Sequence, residues 1–440
     1  MTAIRAPYLP QDAIRARARR GNAAAFPDLD GYGRTLFGAG PREPFDELDA
    51  LRIVPPVFVP GRLEKMFELG REPMWNDVDL SGAVGGFATP LPVFVCAFGS
   101  TEVAGGDLGV AAGTQAGRLG IPMVIGENVV PMRGYGRMSD DQPGRGLVDR
   151  IRAYAEVAPA GQGGVVVQQS TEDADAEVWN LVYSDPYATG LLDDGRLAFE
   201  LKVGQGAKPG LGGMTVLTRA AADAVRRRYT IDDALGADAV LRCASPGTFT
   251  AEILRQQVHL MRNNYPRARV WVKLHPGRDV AEAAAVAWAA GADAVTVDGA
   301  EGGTGWAPSV FLDQAGLPLA ECLRRVGPHR PPAASLNVSG RIWEGGRALK
   351  CLALGASAVG LGRAALVAVD EDPTDGLVRL VRCLELELRL LTSALGKYRV
   401  CELDREDLWL PEPPLGFERR AHDDHRTDEP CEDLQRDRAG

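Results

Sequence analysis

Three lysines and a glutamine stand where apolar runs end. Lys202, Gln205 and Lys208 close the run Leu197–Val203, and Lys273 lies in the Val-Lys-Leu that ends Arg269–Leu274. A lysine at the C-terminal end of a buried strand is costly unless something pairs with it. Two ammonium groups as near as Lys202 and Lys208 attract anions and depress each other's pKa. Glycine gathers at the same strand ends. Lys202-Val-Gly-Gln-Gly-Ala-Lys-Pro-Gly-Leu-Gly-Gly213 is one stretch, and Asp298-Gly-Ala-Glu-Gly-Gly-Thr-Gly-Trp-Ala-Pro308 is a second. Ser339-Gly-Arg341 followed by Gly360-Leu-Gly-Arg363 is a third. Glycine there lets backbone N–H groups approach a ligand closely. Several such ends on one chain predict a mouth built around a phosphorylated cofactor.

The elements that must carry these residues alternate short apolar runs with amphipathic, alanine-rich helical stretches such as Val280–Ala290 and Gly346–Leu354. That alternation marks βα units and a parallel sheet. Eight strand candidates are present: Pro92–Ala97, Ile121–Gly126, Gly163–Gln168, Leu197–Val203, Arg269–Leu274, Ala292–Val297, Ala333–Val338 and Ala356–Leu361. Eight units predict an α/β fold, a (β/α)8 TIM barrel. In such barrels the loops after strands seven and eight form the common phosphate site. Backbone N–H groups of Gly340, Arg341 and Gly362, with Arg363, are therefore the phosphate candidates. The spans around Asp173–Asp194 and from Gly204 to about Pro266 are long, as expected of loops that cover a site.

Residues 1–90 are proline-rich and irregular, with helix candidates at Gln11–Arg20 and Gly61–Leu69, and read as an accessory segment. Residues 91–400 read as the barrel and 401–440 as a charged, flexible tail. The basic run Arg15-Ala-Arg-Ala-Arg-Arg20 reads as the solvated side of a helix. His422 and His425 in the tail have nothing to fix them as metal ligands, and no metal is expected.

At 440 residues the chain can bury a large core. A hydrophobic content of 45% and a charged content of 25% are ordinary for a soluble globular protein. The net charge of −10 argues against a nucleic-acid partner. No run approaches the roughly 18 apolar residues of a membrane span, and the N-terminus has no apolar signal core. Seven scattered cysteines without a C-x-x-C pair fit a reduced, cytoplasmic setting, and Cys351 reads as core.

The glycine stretches, in this order and each at a strand end, make the chain resemble a known family. Ser339–Ala356 and Gly362-Arg363 look like the phosphate loops of FMN-dependent barrel enzymes in general. Lys202–Gly213, Arg267–Leu274 and Asp298–Pro308 resemble the FMN-binding synthase domain of glutamate synthase, with its Gly-Gln-Gly-Ala-Lys-Pro-Gly and Gly-Gly-Thr-Gly runs. The likeness extends weakly to Phe98-Gly99 and Gly126-Glu127, and covers roughly residues 90–365. It implies FMN as cofactor, with Phe98, Gly99, Gln205, Lys273, Gly302, Gly303, Thr304, Gly305, Gly340, Arg341, Gly362 and Arg363 around it. In the family Lys273 stabilises the charge that a reduced flavin carries near N1 and O2. Lys202 and Lys208 match lysines that face the flavin and a 2-oxo acid. Glu127 matches a glutamate close to the substrate, where it would bind an amine or imine proton or serve in packing.

Departures from the family pattern bear equally on function. Arg363–Arg382 contains no cysteine and Cys383 stands alone, whereas an iron–sulfur cluster needs several thiolates. Thr2, not a nucleophilic cysteine, follows Met1, so glutamine-dependent ammonia release is not expected. Leu211 and Met214 stand where the family has Glu and Gln, Ala97 replaces a serine, and Trp306 replaces a small residue. A family arginine for the substrate carboxylate corresponds to one of Arg226, Arg227 or Arg228. The resemblance implies hydride transfer between flavin N5 and a carbon bearing nitrogen, in an amino acid or imine or a related small acid, rather than standard glutamate synthesis. Alternatives are a redox-neutral flavin isomerase and an FMN-binding subunit of a multi-component synthase. Expected partners are a small amino acid or 2-oxo acid substrate, an electron-donor protein or amine-supplying subunit, and further copies in a homo-oligomer.

Overall fold

The computed structural model describes residues 4–28, 34–35, 43–98, 107–126, 146–170, 176–206, 208, 215–226, 230–233, 235–236, 238–242, 248–303 and 307–409. Eight parallel strands close into a barrel: β1 (Val93–Phe98), β2 (Met123–Ile125), β3 (Val165–Ser170), β4 (Leu197–Lys202), β5 (Arg269–Leu274), β6 (Ala294–Asp298), β7 (Ser335–Ser339) and β8 (Ala358–Leu361). Each expected strand is present within two residues of its predicted start, and β5 has the same limits. The barrel closes where β8 pairs with β1, Val359 opposite Val93.

Alternation along the strands explains why these runs sit still. Val270, Val272 and Leu274 point outward into the main core beneath the helices. Trp271 points inward with Phe94, Val166, Ala198, Ala294 and Ala358. Strand tilt makes alternate strands supply each interior layer. Register sets Lys273 beside Lys202 on one side and Thr296 on the other, and Thr296 beside Asn337. The interior therefore changes along its axis. It is apolar at the N-terminal end. Glu200 and Thr296 come next, and Gln168, Lys273, Ser339, Lys202 and Asp298 lie towards the C-terminal mouth. All of these are buried.

The N-terminal end is plugged by an antiparallel hairpin, Gly82–Val84 with Phe87–Thr89. Its turn at Gly85 accepts a hydrogen bond from Trp271 Nε1 at 3.0 Å and donates one to Ser335 Oγ at 2.9 Å. Gly85 has φ +57, and a Cβ there would lie 2.0 Å from the Trp271 ring, so only glycine fits.

Helix α1 (Gln11–Arg20) packs Ile14 and Ala18 against Trp343, Ala364, Val367 and Leu380. Its basic run is only partly a solvated face: Arg19 and Arg20 are exposed, whereas Arg15 and Arg17 are not. Arg15 pairs with Asp370 and Glu371, and Arg17 pairs with Glu387 and lies over the Trp343 ring. The acids that hold them lie some 350 residues away in sequence, which is why the run reads as free charge. A short helix, α2 (Glu47–Ala50), caps its own first turn through Asp46. Residues 401–409 are a correction to the expected tail. Leu408–Trp409 pairs antiparallel with Arg52–Ile53, and buried Asp407 holds Lys397 at 2.8 Å. Residues 410–440 lie outside the described residues. The long span after β4 holds a three-stranded antiparallel sheet, Thr215–Thr218, Ala239–Arg242 and Ile231–Asp232 in that order.

Candidate active site

The strand register alone brings unlike charges together at the mouth. Lys273 Nζ stands 3.2 Å from Asp298 Oδ2, and each side chain is 8% exposed. Asp298 also accepts from Ser339 Oγ, its register neighbour on β7. Burial alone would lower the Lys273 pKa, but the neighbouring Asp298 carboxylate outweighs it and raises it above the ordinary value. Lys273 is therefore a fixed cation at neutral pH. Below it, Glu200 is held by Gln168 Nε2 at 2.5 Å and Thr296 Oγ1 at 2.8 Å. Burial raises the Glu200 pKa, with Lys273 pulling against it. Burial likewise pushes the Cys96 thiol up to about 12, so it is a packing group rather than a nucleophile.

The glycine stretches converge above this array. A Cβ on Gly206 would lie 2.4 Å from the carbonyl oxygen of Gly303, so the loops after β4 and β6 touch backbone to backbone. Gly303 has φ +59 and faces the Arg363 guanidinium, 3.9 Å from where its Cβ would be. Arg363 begins α4 (Arg363–Glu371), whose N-cap, Gly362, offers no side-chain cap. The first N–H groups of a helix have no partner within it and present partial positive charge. Among the described residues, a Cβ on Gly362 would meet nothing nearer than Cys96 Cβ at 3.8 Å, which leaves room at that helix end.

The two arginines of the phosphate loops have different fates. Arg341 donates to Asp46 at 3.2 Å and Asp49 at 2.6 Å and lies over the Phe45 ring, so α2 neutralises its charge. Arg347, 1% exposed, is bound by the same two carboxylates. Arg363 instead donates to two neutral carbonyls, Pro7 O at 3.1 Å and Glu301 O at 2.6 Å. Among the described residues no carboxylate lies within ion-pairing distance of it. Burial lowers its pKa, yet a guanidinium stays protonated in proteins. Its charge is oriented without being cancelled.

Glu301 ties the β6 loop to helix α3 (Leu319–Val326), accepting from the Leu319 N–H with both oxygens at 3.0 and 3.2 Å. Burial pushes its carboxyl up to about 7.

Lys202, Lys273, Gly302, Gly303, Gly340, Gly362 and Arg363 thus sit on or beside the C-terminal ends of β4 to β8. Gln205 and Lys208 bridge each other through their backbones above β4, Lys208 N donating to Gln205 O at 2.8 Å. Arg341 contributes backbone there while its side chain points to α2. Phe98 ends β1. Gly99, Glu127, Thr304 and Gly305 lie outside the described residues, as do Arg227 and Arg228. Arg226 is paired with Asp223 at 2.8 Å on the exposed insertion. Sequence reasoning missed Asp298, Glu200 and Glu301. The signal for the first two was parity: Asp298 shares a face with Thr296, and Glu200 with Lys202.

Residues 160–371 match the model of the conserved region in glutamate synthase. The archaeal-type glutamate synthase (NADPH) of Dehalococcoides mccartyi is 36% identical over 184 residues, covering 40% of this chain and 36% of that protein. A glutamate synthase large subunit-like protein of Rhizobium meliloti is 37% identical over 185 residues, covering 40% of each. The chain thus spans about two fifths of the length of these relatives. Among solved structures, (S)-mandelate dehydrogenase from Pseudomonas putida superposes with TM-score 0.52 at 19% identity, covering 82% of this chain and 88% of that one. A flavocytochrome b2 variant with sulfite bound superposes with TM-score 0.53 at 18% identity, covering 88% and 84%. At these identities the likeness is one of fold. The matched residues 160–371 lie on the strands and loops that build this mouth, and over them the chain is similar to the glutamate synthase family.

Proposed function

We propose that the chain is an FMN-dependent oxidoreductase of the glutamate synthase-like class, acting on a carbon that bears nitrogen in an amino acid or imine, or on a related small acid. The observation that carries this reading is Arg363: a half-buried guanidinium aimed by two carbonyls, without a carboxylate partner among the described residues, beside an uncapped helix end. This donor set suits a phosphate dianion. Backbone N–H groups of Gly340 and Arg341 would complete the hold. The family match and the neighbouring flavoenzyme folds support the choice of FMN.

Bound FMN would supply a ring that accepts or donates a hydride at N5. This chain's residues would do the rest. Lys273, kept cationic by Asp298, would balance negative charge on the ring. Lys202 and Lys208 would bind the anionic end of the substrate, and Glu127 would take or give the amine proton. We assign residues 91–400 to this unit, with 1–90 as its accessory segment. The test is an anaerobic titration of the FMN-loaded protein with individual L-amino acids and with NADPH. Bleaching of the flavin band by one amino acid supports the reading. Bleaching by dithionite alone, with every candidate donor inert, contradicts it.

A further inference from the structure

Two residues other than glycine have left-handed backbone among the described residues, Tyr8 with φ +63 and Arg341 with φ +55. They are joined to each other: Arg341 Nε donates to Tyr8 O at 2.9 Å. Left-handed backbone at such side chains costs on the order of 1 kcal/mol or more and persists where surrounding contacts enforce it, often at ligand clamps. The residue before Tyr8 makes the companion contact, Pro7 O accepting from Arg363 Nη1 at 3.1 Å. Consecutive carbonyls of one segment thus hold the arginines of the loops after β7 and β8.

The segment is itself tied down at both ends. Ile4 N donates to Asp370 Oδ2 at 3.3 Å, on α4, and Ile4 O accepts from Arg15 at 3.4 Å. Arg15 also binds Asp370 at 2.7 Å and Glu371 at 3.0 Å. Ala6 and Leu9 are buried in the cluster with Trp343 and Ala364, while the Tyr8 ring is 70% exposed and lies 6.1 Å from Phe45. The exposed ring leaves the backbone contacts as the reason for the Tyr8 conformation.

We propose that residues 4–9 form a strap that closes the phosphate end of the cofactor site and positions Arg363 and the Arg341 backbone for the phosphate. Pro7 O and Glu301 O fix the plane of the Arg363 guanidinium from two sides without neutralising it. Arg341, drawn outward by Tyr8 O, Asp46 and Asp49, keeps the left-handed turn that aims the Gly340–Arg341 N–H groups. The strap acts on the phosphate end alone, so it favours FMN over riboflavin. The inference rests on the FMN reading above.

The experiment compares the wild-type chain with a variant lacking residues 4–9, titrating each with FMN and with riboflavin by quenching of flavin fluorescence. The strap predicts that the deletion weakens FMN binding roughly tenfold or more, the scale of a lost charge-assisted contact, while riboflavin affinity is unchanged. Equal weakening of both flavins, or none, overturns it. The deletion also threatens α1, so a second measurement uses the intact protein. Hydrogen exchange at the amides of residues 4–9 slows with FMN and not with riboflavin; identical exchange with both overturns the strap. A wild-type chain that binds neither flavin overturns the FMN reading and the strap with it, whereas FMN binding with an indifferent strap overturns the strap alone.

Discussion

Lys273 and Asp298 occupy adjacent barrel strands, 3.2 Å apart and nearly closed to solvent, with Ser339 on the far oxygen of the carboxylate. The pair fixes a cation where the flavin ring is proposed to lie. Removing one member of a buried pair leaves the other uncompensated, at a cost of about 3–5 kcal/mol. Lys273→Met is expected to lose stability on that scale in urea unfolding, and Lys273→Met combined with Asp298→Asn to recover most of it. In spectroelectrochemistry both variants should show a flavin that is harder to reduce than wild type, because neither holds the cation.

Arg363→Gln keeps donors near Pro7 O and Glu301 O but removes the charge. FMN affinity is expected to fall by about one to two orders of magnitude, the range of a charge-assisted phosphate contact. Thermal unfolding of the apoprotein should move little, since the arginine's present partners are neutral carbonyls. Fluorescence titration and calorimetry on the same samples separate the two effects.

Gly360 faces the barrel interior where a Cβ would lie 2.3 Å from Cys96 Sγ and 2.6 Å from the Phe94 ring. Gly360→Ala overpacks this layer and should cost about 1–3 kcal/mol. Adding Cys96→Ala removes the nearer obstacle and should restore part of the loss. Chemical denaturation of the two variants checks both expectations, and a full loss in the double variant would show that Phe94 is the obstacle that cannot move.

Glu301 gives a pH dependence with a definite sign. Burial pushes its carboxyl from the ordinary 4.5 up to about 7, with Asp46 adding to the rise, the Leu319 N–H and Arg347 opposing it, and Cys322 packed nearby. The folded chain thus prefers the protonated form. Its contribution is fully present below pH 4.5 and is lost as pH rises through about 7. A shift of this size corresponds to stability on the order of 3 kcal/mol. Glu301→Gln should flatten that part of the stability–pH curve, measured as thermal midpoints between pH 4.5 and 8.

The barrel was legible because its strands are short apolar runs ending in glycine, and Arg269–Leu274 shows how little the tertiary context had to add. The lysines and phosphate loops were legible for the same reason: a charge or a glycine at a strand end has few structural uses. What the sequence hid depends on distance along the chain. Nothing near Arg341 announces that Asp46 and Asp49 will take its side chain, or that Tyr8 will bend to meet it. The plug at Gly82–Thr89 and the sheet at 215–242 escaped notice because strands of two to four residues carry too little alternation to stand out from loops. Residues 401–409 looked like tail because their partner, Arg52–Ile53, lies at the other end of the chain.

The most direct test of the central claim is a titration of the purified wild-type chain with FMN and, separately, with riboflavin. The account predicts one FMN per chain, bound far more tightly than riboflavin, because Arg363 and the helix end behind it answer to the phosphate. Absence of FMN binding, or equal affinity for the two flavins, would contradict it.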